Sequence, residues 1–484
     1  MWIDLLKRRR RWLRGWCFAA FAAVIAVIWL VAVGWVHWPR GTFVRLVVAG
    51  VIVLNLAWWV RADLRLTESV QRKGRRRWLR GALATYMVLL ILPVIGTFLG
   101  RLEWADLPLI VASWAQFWHM WLVVMVPVGA VVGAIVGLVG LIRWAVLRGS
   151  VVAAAPDRGR RAFLRQAAVA APVVLAGGVA VAGRWQLDRF ERRRYTISPP
   201  GLPERLRGLT ITHLSDFHVG RLFRREHLAR AIDAANAFDS DIVVVTGDII
   251  DQSNNYLPET VDAMRGLRHR YGLFCCIGNH DLIDDGDAFV MYMRGAGVPL
   301  LVNERRVLDV GGEAVAIGGL DWAGRGRDSG SMMRYEAYAD ATFGPPRAET
   351  GAALAMASGP GAALPISAEP RQTASPFSVA LAHHPHAFDP LAARGVALTL
   401  SGHTHGGQLM LTPPGLPEWG AGPLMFRYIR GFYTAGQPGH GRCPTRQGTV
   451  LHSEHPLLFV NSGVGNWFPF RLNAPAEIVQ LRLV

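Results

Sequence analysis

Cysteine is scarce in this chain. Its 484 residues hold four, and Cys17, Cys275, Cys276 and Cys443 offer neither a disulfide framework nor the paired spacing of a zinc site. Acidic residues are scarce in the first part only. Residues 1–195 hold 8 Asp and Glu against 28 Lys and Arg, whereas 196–484 hold 27 against 24. The formal net charge of +17 therefore belongs to the first part, which also carries 15 of the 18 tryptophans. Such a division excludes a single ordinary soluble domain. The basic residues alternate with long uncharged stretches, which argues against nucleic acid as the partner. No internal repeat stands out.

A helix needs roughly 20 apolar residues to cross a bilayer. Stretches near 17–37, 43–60, 82–100, 120–142 and 166–183 approach that length, so residues 1–183 read as a membrane region of about five helices. The N-terminus, 61–80 and 143–165 are strongly basic, while the segments around Arg40 and Arg101 are not. The positive-inside rule then places everything after 184 outside a cytoplasmic membrane, in a multi-pass protein. Basic runs such as Arg72–Arg80 would face anionic lipid. Few carboxylates interrupt the apolar stretches, which argues against an ion-coupled transporter. Arg160-Arg161-Ala162-Phe163-Leu164-Arg165 either enforces this topology or resembles a twin-arginine export signal, with that export machinery as a partner. Ala180-Val181-Ala182 then reads as a candidate cleavage site.

Residues 184–204 read as a linker. From 209 onward, short β-branched runs alternate with helix-like segments. Strands are expected at Leu209–Leu214, Ile242–Thr246, Leu273–Ile277, 314–319, 378–382, 396–401, 457–461 and 477–483, with helices near 224–238 and 258–269. An insertion near 325–376, rich in Gly, Ala, Pro and Ser, reads as a surface loop.

The strands run into polar clusters. The first ends in Ser215-Asp216-Phe217-His218 and the second in Gly247-Asp248-Ile249-Ile250-Asp251. The third ends in Gly278-Asn279-His280-Asp281. Later strands end in His383-His384-Pro385 and in Gly402-His403-Thr404-His405-Gly406-Gly407-Gln408. Taken singly, Asp-x-His or Gly-Asp is more often a turn or a cap. Five donor clusters in order at strand ends are different, because carboxylates and histidines converging there need a cation between them.

In order, these blocks resemble the calcineurin-like metallophosphoesterase family, over about 205–484 and nearest to its membrane-anchored or exported bacterial branch. The resemblance implies a membrane region followed by a four-layer αββα sandwich that binds two metals. Matching positions make Asp216, His218 and His405 ligands of one metal and Asn279, His383 and His403 ligands of the other, with Asp248 bridging. His384 and His386 remain alternatives to His383. Mixed nitrogen and oxygen donors without thiolate suit Mn, Fe, Zn or Co. The activity implied is hydrolysis of phosphate mono- or diesters by a metal-bridging hydroxide, on lipid-linked or envelope substrates if the chain is membrane-anchored. His280 would stabilise the transition state or protonate the leaving oxygen, and Asp281 would orient it. Asp251 is either a support for the site or a helix cap. Cys275 and Cys276 read as core residues. Trp467-Phe468-Pro469-Phe470 reads as packing or as an apolar platform for a leaving group. A sensor or transporter bundle regulated by a metal- or phosphate-binding domain, and a noncatalytic binding module, are the competing readings.

Overall fold

The computed structural model describes parts of 52–98, the isolated residues 118, 159, 174 and 178, and 181–484 apart from 188, 221, 324–331, 345–375, 409, 412–418, 421, 423–425, 437–448 and 467–470. The chain divides into two compact units, Met1–Ala182 and Gly183–Val484.

In the first unit, helix α1 spans Lys73–Phe98. Its first two turns carry Lys73, Arg75, Arg76, Arg77 and Arg80, and Arg80 pairs with Asp63. What remains is about 27 Å of helix at 1.5 Å per residue, short of the roughly 30 Å hydrocarbon core, and it contains Pro93. Tyr86 and Trp58 pack edge-on against Trp118, whose indole N–H donates to the buried Asn55 side chain at 2.8 Å. Among the described residues no helix is long and apolar enough to cross a membrane. That finding corrects the expected multi-span N-terminal region and the multi-pass placement in the cytoplasmic membrane that rested on it. Most of the other four spans, and the Arg160–Arg165 motif, lie outside the described residues.

The second unit is built on two six-stranded sheets. The first sheet contains β1 (Phe190–Ser198), β2 (Thr210–Leu214), β3 (Ile242–Thr246), β4 (Gly272–Cys276), β12 (Val450–His452) and β14 (Ala476–Leu483), in the order β12-β1-β14-β2-β3-β4. The second contains β5 (Glu304–Val310), β6 (Glu313–Gly319), β7 (Phe377–Leu381), β8 (Leu398–Ser401), β11 (Gly431–Thr434) and β13 (Leu457–Val460), in the order β11-β13-β8-β7-β6-β5. Short strands β9 (Met410–Leu411) and β10 (Trp419–Gly420) form a separate ribbon.

Every residue of β3 is buried, as a strand covered on both faces must be. Ile242 and Val244 face the second sheet, packing with Ile317, Val379, Leu398, Leu400 and Phe459. Val243 and Val245 face the other way, toward α2 (Arg225–Asn236), α3 (Leu257–Met264) and α4 (Gly286–Gly295) through Leu228, Ile232, Val261 and Phe289. On the far side of the second sheet, Ala380 packs with Tyr335 and Ala339 of α5 (Met332–Phe343) and with Leu391 of α6 (Phe388–Ala393). The layers thus run helix, sheet, sheet, helix. Cys275 and Cys276 lie on opposite faces of β4, each fully buried in a core cluster.

Two expected loops are regular structure. The segment read as a linker contains β1, which runs parallel to both neighbours, between β12 and β14. Its arginines hide the alternation that buries Tyr195 and Ile197. The insertion contains α5, whose buried Tyr335, Ala339 and Thr342 recur at helical spacing. Arg394 fastens it by donating to the Asp340 carboxylate at 2.7 Å and to the Glu336 carbonyl at 3.0 Å. Strands β2, β3 and β4 are mutually parallel, as are β6, β7, β8 and β13. Loops leaving their carboxyl ends collect on one rim of each sheet, where open parallel sheets place ligands.

Candidate metal centre

The loop after β2 turns sharply, with Asp216 and His218 at positive φ (53° and 47°). Asp248, His403 and His405 share that left-handed backbone. Such conformations cost about 1–3 kcal/mol each and persist only where the surroundings over-determine them. Hydrogen bonds do so here: Asp216 N–H donates to the Gly247 carbonyl at 3.1 Å, and His218 N–H to the Asp248 carbonyl at 2.9 Å. Across the sheets, His403 N–H donates to the Asp216 carboxylate at 3.1 Å, and within the second sheet Gly402 N–H donates to the His383 carbonyl at 3.1 Å. Gly402 and Gly278 allow this closeness. A Cβ on Gly402 would collide with the Ser215 hydroxyl and the Asp216 carboxylate, and one on Gly278 with Asp248.

Two donor clusters result. In the first, His405 Nε2 lies 3.0 Å from His218 Nε2 and 3.3 Å from Asp216 Oδ1. In the second, His383 Nε2 lies 3.1 Å from Asp248 Oδ2 and 3.3 Å from His403 Nδ1. Asp248 joins them, since the same Oδ2 is 3.4 Å from His218 Nε2. Asn279 precedes His280, whose backbone N–H donates to Asp248 Oδ1 at 2.8 Å, and its own Oδ1 is buried with no hydrogen-bond partner.

The donor set fits a pair of divalent cations. It offers carboxylate, amide oxygen and imidazole without thiolate, and its orphaned Asn279 oxygen is what a metal would satisfy. Burial holds His403 and His405 well below the usual imidazole range, helped by the neighbouring rings, so both stay neutral as ligands must. Burial opposes the charge on Asp248, but the imidazoles of His383, His218 and His280 outweigh it and keep that carboxylate ionised. Burial raises Asp216, with the charge of Asp248 adding to it and His383, His218 and the Ser215 hydroxyl pulling back.

His383 is the member of its run that enters the cluster, and its Nδ1 is held by the Thr246 carbonyl at 2.7 Å. His384 accepts from His386 N–H at 3.1 Å and packs at a tilt against both Trp322 and His403, while His386 accepts from Arg427 N–H at 3.4 Å. Neither takes its place. Trp467–Phe470 lie outside the described residues.

His280 sits at the rim, its Nδ1 2.7 Å from the Asp251 carbonyl and 3.1 Å from the Asp251 carboxylate. Burial opposes its protonation, but the bond to Asp251 and the charges of Asp248 and Asp251 prevail and raise its pKa to about 9. The partner of His280 is therefore Asp251, which also reaches His218 Nδ1 at 3.5 Å. Asp281 does not take the orienting role expected for it. Its carboxylate is turned inward, accepting the backbone N–H groups of Gly278, Ile249 and Ile250 at 2.8, 2.8 and 3.1 Å. Three donors held by the neighbouring turns outcompete one side-chain imidazole. Asp281 thus clamps the β3 and β4 loops together.

Comparison with known proteins agrees with this geometry. The family model for calcineurin-like phosphoesterase matches residues 209–407, from the start of β2 to the end of the Gly402–Gly407 run. The chain carries a calcineurin-like phosphoesterase domain. Among similar proteins, an uncharacterized metallophosphoesterase of Helicobacter pylori is 25% identical over 57% of this chain and 60% of its own length. The uncharacterized metallophosphoesterase YkuE of Bacillus subtilis is 28% identical over 67% of this chain and 97% of its own. A Danio rerio protein named as a transmembrane protein with metallophosphoesterase domain is 25% identical over 58% of this chain and 54% of its own. The match thus leaves two fifths or more of the Helicobacter and Danio proteins uncovered.

Proposed function

We propose that this chain is a metal-dependent phosphoesterase that hydrolyses phosphate mono- or diesters at the two clusters joined by Asp248. Asp216, His218 and His405 would hold one divalent cation, and Asn279, His383 and His403 the other, with Asp248 shared. The observation that carries the reading is the position of Asp248 Oδ2, within 3.4 Å of a donor nitrogen in each cluster. Bound there, a cation pair supplies Lewis acidity toward phosphate oxygens and an activated water nucleophile.

The protein's own groups do the rest. Asp216 and Asp248 bring negative charge that holds divalent cations in a buried site, and the neutral imidazoles of His403 and His405 add donors without adding charge. His280 stands at the opening with Nδ1 fixed by Asp251, which leaves Nε2 to donate a proton to a leaving ester oxygen. No cluster of Lys or Arg is needed to bind phosphate, which accords with 24 Lys and Arg against 27 Asp and Glu in residues 196–484. Mn, Fe, Zn and Co all suit the donor set. The lipid-linked substrate that a membrane placement would favour loses its support with that placement.

The test is hydrolysis of bis-p-nitrophenyl phosphate and of p-nitrophenyl phosphate by the purified chain with added divalent metal. Turnover of at least one ester is expected, and Asp248→Asn should reduce it by about 10³-fold or more, as loss of a shared charge-stabilising ligand would. Wild-type turnover that survives that substitution contradicts the reading.

A further inference from the structure

Arg471 is fully buried, the second largest side chain so enclosed among the described residues. A guanidinium is costly to remove from water unless all five of its N–H donors are met. Here they are. Nε donates to the Asn466 side-chain carbonyl oxygen. Nη1 donates to the carbonyls of Ser462 and Ala474, each at 3.0 Å, with the His405 carbonyl at 3.5 Å. Nη2 donates to the Gly465 carbonyl at 2.8 Å and faces His405 Nδ1 at 3.0 Å.

None of these hydrogen-bond acceptors is a carboxylate, so the cage is built to fix positions rather than to neutralise charge. What it fixes is one side of the metal centre. The same guanidinium touches both the ring and the backbone of His405, a residue held at positive φ (49°). The loop it gathers, Ser462 to Asn466, in turn holds the first strand-end turn. Val464 N–H donates to the Ser215 carbonyl at 2.9 Å, and Gly465 N–H to the Asp216 carbonyl at 2.8 Å. Arg471 thereby governs His405 directly and Asp216 through one loop. It makes no described hydrogen bond to Asn279, His383 or His403.

We propose that Arg471 is a positioning residue for one metal site, that of Asp216, His218 and His405, and sets its affinity independently of the other site. The inference rests on the two-cluster reading above. Groups that orient metal ligands are worth about 10–100-fold in metal affinity, and the fork geometry of arginine cannot be supplied by lysine.

The experiment is calorimetric titration of the metal-free full chain with Mn²⁺, metal counting after gel filtration, and a melting curve without metal. Wild type should bind two ions. Arg471→Lys should keep one tight site and weaken the other about 10–100-fold, and Asn466→Ala, which frees Nε without touching His405, should shift the same site by less. Asn466→Ala decides the matter if Arg471→Lys does not fold. Two sites of wild-type affinity in the folded variants, or equal weakening of both sites with a lower metal-free melting temperature, would overturn the proposal. A wild-type chain that binds fewer than two ions would overturn the two-cluster reading itself, and this inference with it.

Discussion

At the residue scale, two aspartates at the same rim have opposite jobs. Asp251 faces an imidazole and Asp281 faces backbone N–H groups. The raised pKa of His280 keeps its proton in place through neutral pH and lets it go as pH rises toward about 9. A reaction that needs this proton therefore has an alkaline limb set by His280. Asp251→Asn keeps the shape and removes the charge, so that limb should move down by one pH unit or more in a kcat profile, about 1.4 kcal/mol per unit. Asp281→Ala should leave the limb where it is. It should instead lower thermal stability, because three backbone donors lose their acceptor at about 1–3 kcal/mol apiece. A limb that moves with Asp281 and not with Asp251 would reverse the assignment.

The same pair shows which residue roles a sequence discloses. Ligand types are legible because Asp216, Asp248, His383, His403 and His405 each sit within a few residues of a readable strand. Asp251 and His280 are 29 positions apart, and no local pattern pairs them. Arg471 is still more obscure, since nothing about an isolated arginine near the C-terminus announces complete burial.

At the scale of elements, β-branched runs disclose β2, β3, β6, β7 and β8 to within about two residues, because strands buried on both faces are apolar throughout. β1 escapes notice for the opposite reason. Its run Arg192-Arg193-Arg194 projects charge from a strand whose inward positions, Tyr195 and Ile197, are few. Helix α5 is hidden by a Gly- and Pro-rich neighbourhood that dilutes its periodicity. The apolar stretch at 82–100 misleads in another way. Counted alone it approaches a span, but the helix that holds its residues 82–98 begins in a basic run.

Close packing of strand ends also makes a prediction at this scale. Gly402 leaves no room for a methyl group beside Ser215 and Asp216. Gly402→Ala should force β8 away from the β2 turn and weaken metal binding about tenfold or more, measured by titration. A fold that loads metal normally with alanine there would mean that the two sheets are less tightly coupled at the site than described.

At the scale of the molecule, the core between the sheets imposes a pH dependence on folding. His213 is fully buried there, packed edge-on against Phe459, with Nε2 2.9 Å from the Thr246 hydroxyl. Burial lowers its pKa to about 3, against about 6.5 in an unfolded chain. Between those values the unfolded state binds the extra proton, so stability rises with pH and is lost as pH falls below about 6.5. The loss approaches about 1.4 kcal/mol per pH unit from this one group. His213→Phe removes it while Thr246 keeps its bond to Ser215. Melting temperatures of the two proteins should therefore converge or cross as pH is lowered from 7 to 4. Parallel curves would show that His213 does not titrate with folding.

The asymmetry of charge between residues 1–195 and 196–484 lies outside the proposed site. The second unit, Gly183–Val484, contains every residue of the proposed site, where bound cations rather than a basic surface would hold phosphate. In the function proposed, this body would hold two cations on either side of the Asp248 carboxylate. The most direct measurement is anomalous diffraction from crystals of the chain soaked in Mn²⁺. Two peaks about 3.5–4 Å apart are expected, flanking Asp248, one against His218 and His405 and the other against His383 and His403. A single peak, or peaks remote from Asp248, would contradict the proposed function.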